Sequence, residues 1–167
     1  GWTDGYTNSV FRLMENLKGP RKGLVGPWGH IYPHFGRPGP AIDFLQEMLR
    51  WWDRWLKGIE TGVENDPMIS AWMQDSIAPN PEYDERPGRW VAEADWPSPR
   101  IEPSELTLAT GRHLATPGET VETKGLDVQS PVTSGLASGK WCSYANAPDL
   151  AGDQRVDDGT GLVFQTE

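Results

Sequence analysis

The apolar residues of this chain repeat with a helical period as far as about residue 65 and alternate beyond it. Side chains on a helix return to one face every 3.6 residues and those on a strand every second residue, so the two patterns cannot serve one element. The chain therefore divides into a first part built on helices and a second built on strands. Between Pro40 and Gly58, Ile42, Leu45, Met48, Leu49, Trp52, Trp55, Leu56 and Ile59 line one broad face, and Asp43, Glu47, Arg50, Asp53, Arg54 and Lys57 fall largely on the other. This spacing predicts a strongly amphipathic helix, stopped by Gly58, that packs against something large. A shorter helix is predicted from Thr7 to Leu17 on Val10, Phe11, Met14 and Leu17, with Thr7 or Asn8 as its cap and Gly19-Pro20 as its stop. Gly23-Leu24-Val25-Gly26 reads as a brief buried strand.

In the second part, Met68 to Gln74, Arg89 to Trp96, Glu105 to Ala109, Thr120 to Lys124, Lys140 to Tyr144 and Gly161 to Thr166 each alternate or nearly alternate. Clusters such as APNP, WPSP, TPGE and APDLAGD separate them, and their Pro, Gly, Asn and Asp residues favour turns. Short strands with long connections predict an antiparallel sandwich or jelly roll. The last strand runs into Glu167 without a turn signal, so the sheet is expected to be cut short.

Twenty-four Asp and Glu against fifteen Lys and Arg give a net charge of -9. Such a surface repels phosphate backbones and anionic lipid, which argues against nucleic acid as a partner. No apolar run approaches the roughly 20 residues that span a bilayer, and no signal segment opens the chain, so soluble material with no membrane partner is expected, and the low cysteine count leans the setting to the cytoplasm. The single cysteine, Cys142, excludes an internal disulfide and a thiolate cluster, and reads as a small half-buried strand residue.

Asp4 precedes the first helix, and His30 follows the short strand in GPWGH. In α/β-hydrolases the catalytic residues run in the order Ser, then Asp or Glu, then His, on loops at strand ends. A histidine acting as general base must hold one tautomer and then carry positive charge, and a carboxylate on its other nitrogen secures both. Asp4 and His30 are spaced for these two roles. GWTDGYTNSV, GPRKGLVGPWGH, FLQEMLRWWDRWLKG and GDQRVDDGTGLVF, in this order, resemble the cocaine esterase and X-Pro dipeptidyl-peptidase family of serine hydrolases. The resemblance implies an α/β plus all-β chain: residues 1–65 the C-terminal part of an α/β-hydrolase domain, residues 66–167 the first part of a jelly-roll β-sandwich. It implies Asp4 as the triad acid and His30 as the triad base, with no cofactor and no metal. Expected substrates are small esters, amides or short peptides, including X-Pro bonds. Members that cleave α-amino-acid esters carry extra acidic residues after the triad aspartate. Gly5-Tyr6-Thr7-Asn8 stand there in this chain, so a cationic substrate is not expected.

No G-x-S-x-G occurs, and SGLASGKW lacks that spacing. The chain is therefore expected to be a C-terminal fragment whose nucleophile lies upstream, inert by itself and prone to self-association as a homo-oligomer through its uncovered apolar edge. The competing reading is a non-catalytic module whose β-rich half binds a sugar, peptide or protein, with Trp72, Trp90 and Trp141 as candidate contacts. His34 lies four residues after His30, but Pro33 intervenes and no Cys or third His is near in sequence, so zinc is not expected there. His113 is expected to face solvent. Trp51, Trp52 and Trp55 read as core packing, and GDQRVDDG as a salt-bridged loop in preference to a calcium site.

Overall fold

A computed structural model describes residues 1–144 and 148–166. Helix α1 spans Thr7–Asn16, strand β1 Gly23–Val25, helix α2 Phe44–Lys57, strands β2 Ile69–Gln74 and β3 Gly88–Glu93, hairpin strands β4 Thr107–Ala109 and β5 His113–Ala115, and helix α3 Arg155–Gly159. Single 3-10 turns occur at Pro33–Phe35, Val63–Asn65 and Leu136–Ser138. Both predicted helices form. Gly58 ends α2 in the left-handed conformation at φ 71. The amide of Gly58 donates to the Arg54 carbonyl and that of Ile59 to the Asp53 carbonyl, closing the helix end as glycine allows. At α1 the cap position is Tyr6, not Thr7 or Asn8. The Thr7 hydroxyl reaches backwards, donating to the Asp4 carbonyl at 2.7 Å, and so fastens the turn that carries Asp4.

One sheet has the order β1-β2-β3, with β1 parallel to β2 and β2 antiparallel to β3. Trp72 and Trp90 are directly opposite in the second pair, edge to face with ring centroids 5.4 Å apart. The crossover from β1 to β2 carries α2. Its docking reverses the expectation. Glu47 and Arg50 face the body and form an ion cluster with Lys22 and Asp66: Lys22 Nζ lies 2.5 Å from Asp66 and 3.0 Å from Glu47, and Arg50 lies 3.1 Å from Asp66. Arg54 adds a contact to Glu64 at 3.4 Å. Burial pushes the Asp66 carboxyl up, but hydrogen bonds and charge from Lys22 and Arg50 outweigh it and hold the group below its ordinary value. Leu45, Met48, Leu49, Trp52 and Leu56 point outward, Leu56 at 74% exposure. The charged residues find partners flanking β1 and β2, whereas no described layer faces the apolar stripe. Trp52 and Trp55, expected in a core, are exposed, and Trp51 is half-buried beside Trp55.

The second half is strand-rich but less regular than predicted. Strands form at 69–74, 88–93 and 107–109, overlapping the predicted stretches 68–74, 89–96 and 105–109. Residues 120–124 form no strand, though the Thr110 amide donates to the Glu122 carbonyl at 2.8 Å. Residues 140–144 are a bend rather than a strand, and 161–166 reduce to one bridge between Gln165 and His113. Among the described residues the pairing of 120–124 and 161–166 with the β4–β5 hairpin is confined to these single points, too little to extend a strand. The GDQRVDDG loop contains the short helix α3, with Arg155 paired to Asp153 alongside. Ala147, which opens the APDLAGD turn, and Glu167, where the last strand is expected to run on, lie outside the described residues. A hydrolase-type parallel sheet is not formed among the described residues, because β1 is three residues long and its parallel neighbour is β2 of the strand-rich half.

The core centres on Trp28, 2% exposed, with Val25, Pro27, Met14, Val63 and Ile69. Its indole N–H donates to the Pro40 carbonyl at 2.8 Å. A Cβ at either Gly26 or Gly36 would overlap the Trp28 ring. Gly36→Ala is therefore expected to destabilise the fold by about 1–3 kcal/mol and Trp28→Ala by about 3–5 kcal/mol. Leu56→Ser should stay within about 0.5 kcal/mol. Urea unfolding of the three variants checks the order.

Candidate functional site

The backbone around Trp28 sets two loops side by side. The Trp2 amide donates to the Gly26 carbonyl at 2.9 Å and the Thr3 amide to the Trp28 carbonyl at 3.3 Å. Residues 1–4 thus run beside 26–28, and the next residue on each segment with a reactive side chain is Asp4 on one and His30 on the other. Asp4 closes a tight turn in which its Oδ1 accepts the Tyr6 amide at 2.8 Å, a local arrangement that suits Asp. Its Oδ2 lies 3.0 Å from His30 Nδ1. A carboxylate offers only lone pairs, so Nδ1–H donates and the neutral ring keeps its Nε2 lone pair free. The Asp4 side chain is 15% exposed and that of His30 43%, which shelters the acid and leaves the base open. Burial pushes the Asp4 carboxyl up. Hydrogen bonds from the Tyr6 amide and the His30 ring outweigh that cost and hold it below its ordinary range.

A third segment closes over this pair. The His30 amide donates to the Ser143 carbonyl at 2.5 Å, and the Ser143 amide to the Thr3 carbonyl at 3.4 Å. The Tyr144 ring meets His30 edge-on at 5.2 Å, and Tyr6 lies 5.7 Å from His30 on another side. Trp141 packs edge-on against Tyr6 at 5.8 Å and covers Gly5 so closely that a Cβ there would strike the indole. Beside Asp4 a cavity of about 200 Å³ is lined by Trp2, Thr3, Lys140, Trp141 and Ser143 among others. Lys140 pairs there with Asp149 at 2.6 Å. A larger cavity, about 370 Å³, lies over the Lys22, Glu47, Arg50 and Asp66 cluster and does not touch the pair.

His34 stands apart from the pair, in the 3-10 turn, with its ring 4.2 Å from Phe35 and 5.7 Å from Tyr32. His113 is on β5 and half-buried, with Nε2 3.0 Å from Glu119 Oε2, rather than facing solvent in a turn. Thr116 and His113 together push the Glu119 carboxyl down to about 2. Cys142 is the residue that sequence reasoning missed. It lies in the 140–144 bend, not a strand, and its sulfur and ligand atoms of Asp4 and His30 are all within 4.8 Å of one another. The available signals were the neighbouring aromatics of WCSY and Gly5, which leaves room for Trp141.

A family model described as the X-Pro dipeptidyl-peptidase C-terminal non-catalytic domain matches residues 61–167. A protein named as a serine esterase in Mycobacterium bovis is 28% identical over 106 residues, covering 59% of this chain and 15% of that protein. Its namesake in Mycobacterium tuberculosis gives the same figures. A protein named as an Xaa-Pro dipeptidyl-peptidase in Bacillus anthracis is 27% identical over 81 residues, 48% of this chain and 11% of the relative. The matched stretch is thus a small part of each relative's length. No solved structure matches.

Because the Asp4 carboxyl is depressed in the folded chain, its contribution to stability is present above its ordinary value of 3.8 and is lost as pH falls through the folded value. Carboxyl carbon NMR should place the Asp4 midpoint below 3.8. His30→Ala should move that midpoint upward, since the ring no longer stabilises the anion.

Proposed function

This chain belongs to the family of the X-Pro dipeptidyl-peptidase C-terminal non-catalytic domain, and from that membership we propose that it is part of a serine hydrolase to which it contributes the acid and base. The observation that carries the reading is the 3.0 Å contact between His30 Nδ1 and Asp4 Oδ2, on a His30 side chain that is itself exposed. Residues 1–65 are read as the closing part of an α/β-hydrolase domain and residues 66–167 as the start of a jelly-roll domain. The uncovered apolar face of α2 supports this division, since such a stripe suits a layer outside the described residues. The esterase and peptidase names of the relatives support the reaction class.

In this mechanism a serine outside the present sequence attacks a carbonyl carbon while His30 Nε2 takes its proton. Asp4 holds the ring in the required tautomer and stabilises the imidazolium. The tetrahedral adduct collapses, the leaving alcohol or amine takes the proton from His30, and the acyl-enzyme forms. Water then repeats the cycle with His30 again as base. The substrate is a small ester, an amide or a short peptide. Gly5-Tyr6-Thr7-Asn8 follow the acid and bring no further carboxylate to hold an ammonium group, so a neutral acyl group suits the site better than a cationic one.

A second reading, a binding module without catalysis, draws on the family's description as non-catalytic and on the absence of G-x-S-x-G from the sequence. Fluorophosphonate labelling of the native protein from its source cells, with intact mass, separates the two. The expected result is a labelled serine in a protein much heavier than 18.6 kDa, with this chain by itself unlabelled. In that protein, His30→Ala and Asp4→Ala should each lower kcat by roughly 10⁴-fold or more. A native mass equal to this chain, without labelling, would move the assignment to the binding module. Labelling of the isolated chain would place the nucleophile inside it and overturn the mechanism.

A further inference from the structure

We propose that Asp4, His30 and Cys142 together form a binding site for a thiophilic divalent cation of the zinc class, and that its occupation silences the Asp4–His30 pair. The site stands on geometry. One carboxylate oxygen, one imidazole nitrogen and one sulfur, all within 4.8 Å of one another, come from three separate segments. Zinc bonds of about 2.0–2.3 Å in a tetrahedron set ligand atoms about 3.3–3.8 Å apart, so the three need close by only about 1.0–1.5 Å at most. Rotation of the side chains supplies a movement of that size, because the backbones are already tied together. Thr3 bonds to Trp28, His30 to Ser143, and Ser143 back to Thr3.

The donor set selects the metal. Magnesium and calcium take oxygen ligands, whereas mixed thiolate, imidazole and carboxylate ligation suits zinc and its neighbours. A thiolate and a carboxylate balance the two positive charges of the ion, and three protein ligands leave a fourth position for water. The exposed His30 ring gives an entry path, and the net charge of -9 favours cations near the surface. Cys142 lies far from the pair in sequence, which is why the sequence gives no sign of a metal.

Silencing rests on the catalytic reading above; the site itself does not. A metal on His30 Nδ1 replaces the hydrogen bond to Asp4, and a metal on Nε2 takes the lone pair that a base requires. In either arrangement His30 cannot accept a proton. Binding also displaces the Cys142 thiol proton, as ligation by sulfur requires.

Cobalt(II) titration of the purified metal-free chain, followed by absorption, tests the site without any activity assay. One equivalent should saturate a near-ultraviolet sulfur-to-cobalt band, and zinc should displace it. Cys142→Ser should abolish the band. Asp4→Asn and His30→Ala should each weaken cobalt binding by about tenfold or more. As a second measurement on unaltered protein, zinc should slow alkylation of Cys142 by iodoacetamide. Absence of the band, its persistence in Cys142→Ser, its indifference to both Asp4→Asn and His30→Ala, or alkylation unchanged by zinc would each overturn the site. If the site binds zinc but zinc leaves fluorophosphonate labelling of the native protein unchanged, the silencing is wrong and the site remains.

Discussion

The indole of Trp28 lies against Gly26 and Gly36, two positions at which any side chain would strike it, and its N–H is spent on the Pro40 carbonyl. Much of the first half follows from that placement. The backbone at Gly26 and Gly36 packs directly against the ring, and the carbonyls beside it stand as acceptors. The carbonyls of Gly26 and Trp28 take the amides of Trp2 and Thr3, which carries Asp4 to within hydrogen-bond reach of His30. A buried aromatic with a satisfied polar edge contributes several kcal/mol of core packing, and here it also sets a distance between two reactive groups. Stability and site geometry share one residue.

The rest of the molecule bears on that site from outside. The 140–144 bend brings a backbone acceptor, two aromatic rings and a thiol onto the Asp4–His30 pair from the strand-rich half. The half matched by a family described as non-catalytic thus contributes to the walls of the candidate site. On the opposite flank, α2 is held by the Lys22, Glu47, Arg50 and Asp66 cluster and turns its apolar stripe outward. Partly exposed ion pairs contribute modestly to stability, so this docking orients α2 more than it secures the fold.

Local signals in the sequence were strong enough to be read directly. The helical spacing of Val10, Phe11 and Met14, the long stripe of α2 and the Gly58 stop all appear as expected, as does the short strand at 23–25. The order of Asp4 and His30 along the chain drew attention to two residues that the fold does bring together. Long-range features were not legible. The outward direction of the α2 stripe depends on what faces it, and the ion cluster that decides it joins Lys22 to Asp66 across the crossover. Alternation at 120–124 and 140–144 looked like strands, yet alternation specifies a strand only when a neighbour pairs with it. Cys142 showed nothing of its position, because proximity to His30 is set by backbone bonds between segments far apart in sequence.

The central claim is that the fold holds His30 in the tautomer a general base needs. Long-range proton–nitrogen correlation NMR of the His30 ring, at a pH where it is neutral, reads this directly. The account predicts a protonated Nδ1 facing Asp4 and a bare Nε2. A bare Nδ1, or a ring exchanging freely between the two forms, would contradict it.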